Sequence, residues 1–455
     1  MSQTQVDSRH PWFAPAAPQA VGTALIVGAG LAGCHTANVL QRAGWTVTLI
    51  EAGSQLAGGA SGNHCGLIKP HVSRSPSAAA DFYQQAWQHA QTSLRTTPPC
   101  ATARQPLASP AVSRTGALQL AHNARHYPDS PLYQRLSITQ ASAMANHRVR
   151  SDALFFAAAG WLEPAAWCRA LTQPLTQPLA PVSGADSSLV YDARVVELAP
   201  CSAGWEARDD RGRCYRANIA ILTTGHHTTS LLPAIRLPLI PARGQTTCIP
   251  VTNAELPLCA VCGHGYAIPV RKTSSPADAW LQIGATFQRG ISGQTVIADD
   301  NSSNIASLGS LFAGAIAGPQ TAALAERPGT TAWAATRATT PDRLPCVGAV
   351  PDAGFYAAHY HDLQHGRHPH RYPVARYVPG LYLNTGHGSR GLLTTALAAD
   401  MLAAIIAGVD PYSTETAPKH AVSRFNELLH PARFWIRQFR KNPYNCDTAA
   451  AIVAH

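Results

Sequence analysis

The sequence predicts an α/β protein in which a domain built on a parallel β-sheet is joined to a mixed α+β domain. Three observations support this prediction. The chain has 455 residues, more than one small core accommodates. An apolar run near its start is followed by a glycine-rich turn and a helical pattern. A later block, residues 236–336, has a mixed, strand-containing pattern.

The first predicted unit is a β-α-β unit of about thirty residues. A buried strand, Ala24–Val27, runs into Gly28–Gly33, which reads GAGLAG. A helical stretch follows over Cys34–Ala43, and a second strand, Thr46–Ile50, ends in Glu51. This order of strand, glycine turn, helix and strand with a terminal acid is typical of a Rossmann-like dinucleotide-binding domain.

The three glycines of this turn meet three different physical requirements. Gly28 permits the tight turn out of the strand, and Gly30 lets the backbone approach a pyrophosphate. Gly33 allows the helix to pack closely on the strand, and the free N–H groups of the helix N-terminus favour the phosphate charge. Glu51 stands where a carboxylate accepts hydrogen bonds from the adenosine ribose.

Two later segments complete the predicted cofactor site and favour FAD over NAD. A buried strand, Ile219–Leu222, leads to Gly225 and resembles the later nucleotide-contacting strand of flavoprotein oxidases. A second glycine loop, Gly386–Gly391, precedes the predicted helix Leu392–Ala407. The positive end of that helix would stabilise negative charge on a reduced flavin. The sequence therefore predicts FAD as the cofactor, and it predicts no metal site.

Composition and charge restrict the environment and the partners. A net charge of +10 favours nucleic acid or an anionic membrane, although some proteins are basic without such a partner. An odd number of cysteines, 11, at irregular spacings indicates a reducing compartment, and Cys259 and Cys262 are read as part of a core strand. No secretory signal is evident, and the apolar run Leu397–Val409 is too short to span a bilayer. We therefore expect a cytoplasmic protein without a membrane partner.

Several segments carry a family resemblance that covers nearly the whole chain. The run Arg337–Gly348, RATTPDRLPCVG, resembles a signature of the D-amino-acid oxidase and glycine oxidase superfamily. The run Gly59–Pro70, GASGNHCGLIKP, is more specific and resembles a segment of the MnmC family. Further similar segments are Pro11–Phe13, Gly388–Leu392 and Leu429–Arg437.

The resemblance implies a fold, a reaction and partners. The fold would be of the D-amino-acid oxidase and glycine oxidase type. The reaction would be that of the oxidoreductase half of a bifunctional tRNA-modifying protein, which removes the carboxymethyl group from 5-carboxymethylaminomethyl(-2-thio)uridine at the wobble position. The methyltransferase half of that family is not found in this sequence. We therefore expect tRNA as substrate and a separate methyltransferase acting on the product.

The resemblance also suggests roles for individual residues. Arg337 matches the carboxylate-binding position of glycine oxidase, and its planar guanidinium suits bidentate carboxylate binding. Arg390 is the second candidate for this role, and Tyr266 and Lys69 are expected to line the pocket. The residues expected to bind FAD, beyond those of the first glycine turn, are Glu51, Ser61, Gly62, Asn63, Gly225, Gly388, Ser389, Arg390 and Gly391.

The expected domain organisation is discontinuous. The FAD-binding domain comprises residues 23–80, 155–235 and 337–442, and the substrate domain residues 81–154 and 236–336. A leader, 1–22, precedes them and a tail, 443–455, follows.

Other interpretations remain open from the sequence. A free glycine, sarcosine or D-amino-acid oxidase would share the fold and Arg337, and a non-catalytic tRNA-binding scaffold would share the fold alone. Arg433, Arg437, Arg440 and Lys441, with Phe434 and Trp435 between them, form either a phosphate-contacting surface or a solvated helix face. The histidine-rich segment 359–371 is expected to be a surface insertion.

Overall fold

The architecture is that of a computed structural model, which describes residues 10–97, 113–176, 187–271, 279–314, 324–409 and 420–441. Strands and helices are numbered in chain order. The predicted tail and the first nine residues of the predicted leader lie outside the described residues. None of the helices in the described part of the chain has the length and apolarity that a bilayer crossing requires.

A mainly parallel six-stranded sheet forms one half of the molecule. In spatial order its strands are β19 (Cys346–Pro351), β20 (Tyr377–Thr385), β12 (Ile219–Leu222), β1 (Thr23–Val27), β2 (Thr46–Ile50) and β8 (Ser188–Val190). Only β19 at the edge runs antiparallel to its neighbour. The central strands are buried on both faces, which explains their continuous apolar runs. The carboxyl ends of β1, β12 and β20 meet at one edge of the sheet.

A nine-stranded mixed sheet forms the other half. Eight of its strands, in spatial order, are β17 (Gln288–Arg289), β13 (Ile240–Pro250), β16 (Ala279–Gly284), β15 (Tyr266–Arg271), β14 (Ala260–Cys262), β4 (Ala117–Leu120), β6 (Ala153–Phe156) and β5 (Gln134–Leu136). The ninth, β18 (Thr331–Thr339), pairs with β13. The predicted core position of the CxxC pair is confirmed, since both thiols are buried here.

Two small sheets and the helices surround these halves. Three strands form a meander, β9 (Val195–Cys201), β10 (Gly204–Asp209) and β11 (Cys214–Ala217), and two form a pair, β3 (Gly66–Ile68) and β7 (Gly160–Leu162). The helices are α1 (Leu31–Arg42), α2 (Ala78–Thr96), α3 (Ile138–Ala145), α4 (Pro164–Thr176), α5 (Thr228–Leu231), α6 (Ala298–Leu311), α7 (Ala353–Tyr360), α8 (Gly391–Ala407), α9 (His420–Leu429) and α10 (Arg433–Phe439).

The β-α-β unit predicted from the first glycine turn is confirmed, with β1, α1 and β2 in parallel register. Helix α1 begins at Leu31, three residues before the predicted start, because the glycine turn itself supplies the first helical turn. The predicted helix after the second glycine loop is also confirmed as α8. It is buried on most of its surface, packing against α1 and α2.

Two of the predicted domain boundaries coincide with strands. The boundary at residue 337 lies inside β18, whose whole length pairs with β13, and the boundary at residue 155 lies inside β6. The division into two domains therefore remains a prediction, with β18 extending to both halves of the molecule.

The histidine-rich segment 359–371 is less peripheral than expected. Its first residues complete α7, and Tyr360 and Leu363 are buried. Both belong to the apolar cluster that contains Trp12 from the N-terminal segment. The prediction of a surface insertion was therefore wrong for the start of this segment, because its two apolar side chains anchor it.

Candidate active site

The first glycine turn crosses the carboxyl end of β1 with almost no clearance. Gly28 has a φ of +100°, a conformation that L side chains rarely adopt, and its backbone lies against Thr223. A Cβ at Gly33 would collide with the carbonyl oxygen of Gly28 and lie 2.8 Å from the Thr223 hydroxyl. The Thr223 hydroxyl donates to the Gly28 carbonyl at 2.7 Å. The turn therefore tolerates only glycine at these two positions.

Two polar side chains hold the turn at the start of α1. The Glu51 carboxylate accepts hydrogen bonds from the Ala29 N–H at 2.8 Å and from the Gly53 N–H at 3.0 Å. The Ser61 hydroxyl accepts from the Leu31 N–H at 3.0 Å and lies 3.1 Å from the place a Cβ at Gly30 would take. An acceptor at the first N–H groups of a helix marks the region where an anion is favoured.

The second glycine loop lies beside the first. A Cβ on Gly391, at the start of α8, would be 3.6 Å from Leu31 at the start of α1. Gly388 has a φ of +57°, and its N–H donates to the Ala338 carbonyl on β18 at 2.8 Å. Gly225 also has positive φ, and its carbonyl accepts from the Thr385 hydroxyl at 3.1 Å. Ser389 is exposed on the same loop.

A network of side-chain hydrogen bonds holds this second loop against α8, β20 and α1. The His387 ring contacts the Thr394 hydroxyl at 2.8 Å and the Asn384 side-chain oxygen at 2.9 Å. The Asn384 amide in turn donates to the Thr36 hydroxyl of α1 at 3.0 Å. Burial lowers the pKa of His387 to about 3. The ring is therefore neutral and serves to position the loop.

The segment around Gly62 closes the site against the nine-stranded sheet. A Cβ on Gly62 would lie 2.8 Å from Cη2 of Trp333 and 2.5 Å from the Ala57 carbonyl oxygen. The Trp333 indole N–H donates to the Gly59 carbonyl at 3.3 Å. The Asn63 side-chain oxygen accepts from the Thr246 hydroxyl at 2.9 Å. Gly62 is required because the indole of Trp333 packs directly on the backbone.

One row of paired residues crosses four strands of this sheet. Tyr266 pairs with Gly284, Gly284 with Thr246, and Thr246 with Trp333, so their side chains share one face. A Cβ at Gly284 would lie 2.9 Å from the Tyr266 hydroxyl and 2.9 Å from the Thr246 methyl group. Gly284 thus leaves room for the Tyr266 phenol. Burial raises the pKa of this phenol, so it stays protonated and can donate a hydrogen bond.

Arg337 lies on the same face, four residues along β18 from Trp333. Its guanidinium passes over Gly244 of β13, where a Cβ would be 2.9 Å from the Arg337 Cζ. The guanidinium has no ion pair and no hydrogen bond within the described ranges. Burial lowers its pKa and the nearby Tyr266 phenol opposes that shift. Arg337 is partly exposed. An unpaired cation in such a position favours the binding of an anion.

Arg390 and Lys69 form a second basic group, in which Arg390 contacts Tyr83. The Arg390 guanidinium stacks 4.7 Å from the Tyr83 ring centroid and donates to its hydroxyl at 2.8 Å. The His71 ring lies 4.6 Å from the same ring. Burial, together with the charges of Arg390 and Lys69, lowers the pKa of His71 to about 4. The Lys69 ammonium donates to the Gln119 side-chain oxygen at 2.6 Å, and burial lowers its pKa.

The geometry of the glycine turns fits a dinucleotide cofactor. Two helices present their N-termini side by side, and the turn before the first of them tolerates only glycine at positions 28 and 33. The sequence model of the DAO family, described as FAD-dependent oxidoreductases, matches residues 23–405. The chain belongs to this family. FAD is accordingly its cofactor, and the residues gathered at the two glycine turns are our candidates for binding it.

Curated relatives narrow the comparison within the DAO family. The tRNA 5-methylaminomethyl-2-thiouridine biosynthesis bifunctional protein MnmC of Azoarcus sp. strain BH72 is 32% identical over 435 residues, which are 92% of this chain and 62% of that protein. The MnmC protein of Aeromonas hydrophila is 31% identical over 441 residues, 95% of this chain and 61% of that protein. This chain therefore spans a little under two thirds of the length of the relatives it matches.

Solved structures show the same fold. Glycine oxidase from Geobacillus kaustophilus aligns with a TM-score of 0.63 at 18% identity, covering 87% of this chain and 97% of that one. Iminodiacetate oxidase from Chelativorans sp. BNC1 aligns with a TM-score of 0.61 at 19% identity, covering 88% and 98%. The predicted DAO-type architecture is therefore confirmed.

Both interpretations of the C-terminal basic run, as an RNA-contacting surface or as a solvated helix face, were wrong for two of its members. Arg433 is 2% exposed and donates to both carboxylate oxygens of Asp342, at 2.9 and 3.0 Å, and to the Leu344 carbonyl at 2.8 Å. Trp435 is also buried. Arg437, Arg440 and Lys441 are exposed, although Arg437 also pairs with Asp342.

Four residues that the sequence interpretation missed contribute to the site. Gly244 and Gly284 give room to Arg337 and Tyr266, and Trp333 covers Gly62. Tyr83 holds Arg390. An isolated glycine within a strand is a signal of close approach, so Gly244 and Gly284 could have been singled out. No local signal identifies Tyr83, which is one of several aromatic residues on α2.

Proposed function

We propose that this chain oxidatively removes the carboxymethyl group from 5-carboxymethylaminomethyl(-2-thio)uridine at the wobble position of tRNA. The products are the 5-aminomethyl base and glyoxylate. The names of the curated relatives support tRNA as the substrate. The modified side chain is an N-alkylated glycine, a secondary amine that carries a carboxylate. Membership in the DAO family supports oxidation of the C–N bond of such an amine.

The observation that carries this proposal is the unpaired guanidinium of Arg337. It lies on the sheet face that carries Tyr266, and β18 continues from it to the second glycine loop. A planar guanidinium binds a carboxylate through two parallel hydrogen bonds, which fixes both position and orientation. The glycyl carboxylate of the modified base provides the missing anion. The Tyr266 hydroxyl, whose pKa burial raises, stays protonated and can donate a further hydrogen bond.

When bound, FAD would accept a hydride from the amine, so that its CH–NH bond becomes a C=N bond. Hydrolysis of this bond by water gives glyoxylate and the primary amine. The protein must hold the carboxylate and keep the amine uncharged, since a protonated amine cannot release a hydride. The cations Arg390 and Lys69 contribute to the second requirement. Burial, together with the charges of Arg390 and Lys69, lowers the pKa of the neighbouring His71 to about 4. The same two charges disfavour a proton on an amine bound nearby. We assign Arg390 and Lys69 to this electrostatic role.

The proposal is tested by incubating the purified flavoprotein with tRNA that carries 5-carboxymethylaminomethyluridine. Nucleoside analysis should show conversion to 5-aminomethyluridine, with glyoxylate released in equal amount. Glycine, sarcosine and D-alanine serve as competing substrates. Faster flavin reduction by any of these than by the modified tRNA would identify a free amino-acid oxidase and reject the proposal.

A further inference from the structure

The segment 285–297, between β16 and α6, presents apolar and basic side chains to solvent beside Arg337. Four large apolar side chains in this stretch are 41–53% exposed, namely Phe287, Ile291, Val296 and Ile297. Arg289 is also exposed, and the segment contains no acidic residue. Exposed apolar residues concentrated in one short stretch, and not scattered singly, mark an interaction surface.

The register of the strands places this surface next to the proposed carboxylate site. Ala242 of β13 pairs with Arg337 on one side and with Arg289 of β17 on the other. Paired residues of neighbouring strands project from the same face, so Arg289 and Arg337 flank the small side chain of Ala242. Arg337 is the inner member of this row and Arg289 the exposed one. Phe287 immediately precedes β17.

The segment is held in place by its backbone, so its side chains are presented from a fixed support. The Gly290 N–H donates to the Pro241 carbonyl at 2.8 Å, and the Arg243 N–H donates to the Ile291 carbonyl at 2.9 Å. The Gly293 N–H donates to the Thr336 hydroxyl of β18 at 2.8 Å. On the opposite face of β13, Arg243 pairs with Asp300 of α6. An ordered exposed segment loses little conformational entropy when a partner binds.

We propose that Phe287 and Arg289 form the rim that receives single-stranded nucleotides of the tRNA anticodon loop, with Phe287 stacking on a base and Arg289 binding a backbone phosphate. This inference rests on the proposed function. A wobble base whose carboxylate reaches Arg337 must leave its stack, and its neighbours then need a new stacking partner. An exposed aromatic ring beside a guanidinium, with no acid in the segment, matches that requirement in shape and charge.

The test is direct binding of a fluorescein-labelled anticodon stem-loop that carries 5-carboxymethylaminomethyluridine. Phe287→Ala should weaken binding roughly ten-fold, as loss of one base–aromatic stack does. Arg289→Gln should weaken binding and reduce the slope of log affinity against log salt by about 0.7, the contribution of one phosphate on a single strand. Matched controls are Leu258→Ala, an equally exposed apolar residue before β14, and Arg211→Gln in the turn between β10 and β11.

Variants of the rim that bind no more weakly than the two controls would overturn the proposal. So would a shift from dimer to monomer in Phe287→Ala with unchanged RNA affinity, because the surface would then join two copies of the chain. Binding is measured independently of turnover, so a failure of the proposed rim can be distinguished from a failure of the proposed reaction. Wild-type protein that binds RNA through the rim yet releases no glyoxylate supports the rim and rejects the proposed reaction.

Discussion

Replacement of Gly244 by alanine should disable the proposed carboxylate site without removing any polar group. The new Cβ would lie 2.9 Å from the Arg337 Cζ and 2.6 Å from the Thr286 carbonyl oxygen, whereas ordinary van der Waals contact begins at 3.4 Å. The guanidinium must therefore move by at least about 0.5 Å, the limit of the tolerance for a productive site. Because a misplacement of this order costs up to roughly a hundred-fold in rate, kcat/KM should fall by about one to two orders of magnitude.

The assay is single-turnover flavin reduction by tRNA carrying the modified base, measured with FAD content and melting temperature. Overpacking costs about 1–3 kcal/mol, so a small decrease in stability is expected with FAD retained. Gly309→Ala is the control, because a Cβ there meets nothing within 4 Å. The decisive variant is Gly244→Ala combined with Arg337→Ala. If Gly244 acts through Arg337, the second substitution adds little to the loss in Arg337→Ala. Equal losses in both backgrounds would refute the reasoning.

Three further predictions test other parts of the structure. Arg337→Lys keeps the charge but loses the two-pronged geometry, so single-turnover flavin reduction should fall less than the roughly thirty-fold or greater loss expected for Arg337→Ala. Normal flavin reduction in Arg337→Ala would mean that another residue binds the carboxylate, with Arg390 as the next candidate. Gly30→Val should abolish FAD binding, because its branches would displace Ser61 and occupy the approach of the pyrophosphate; a yellow, FAD-loaded variant would contradict this. Asp342→Asn should lower the free energy of unfolding by roughly 3 kcal/mol, because Arg433 would be left buried without its partner. Burial alone would raise the pKa of Asp342, but Arg433 and Arg437 lower it to about 2. Since the folded-state pKa is depressed, this stabilisation is present at neutral pH and is lost as the pH falls from about 4 towards 2. The stability of Asp342→Asn should therefore depend less on pH in that window than the stability of the wild type.

The cofactor half could be predicted because its motifs are local in sequence. Gly28, Gly30 and Gly33 stand at fixed spacing between a strand and a helix, although Thr223 and Ser61, which they contact, lie far away in sequence. The loop that precedes α8 likewise combines a local glycine pattern with distant contacts, such as that of Gly388 with Ala338. Their positions therefore follow from motif and periodicity alone.

The substrate half could be predicted only in part, because its contacts are distant in sequence. Arg337 was identified by resemblance, yet the glycine that makes room for it lies on β13, and Tyr83, which holds Arg390, lies on α2. The basic C-terminal run shows the opposite error. Its charge pattern suggested an exposed surface, but Arg433 is buried against Asp342, 91 residues earlier. Burial of a charge depends on a partner that a local pattern does not reveal.

Strand β18 has a consequence for how this chain tolerates changes in length. Within nine residues it carries Trp333 against Gly62, Arg337 over Gly244, and Ala338 bonded to Gly388. Loss or gain of one residue between Trp333 and Ala338 would turn Arg337 to the opposite face, toward Arg243 and α6. Point substitutions can therefore change which anion is bound, whereas insertions are confined to connections outside the strand. Among related sequences, we expect the interval from this tryptophan to the alanine to have constant length.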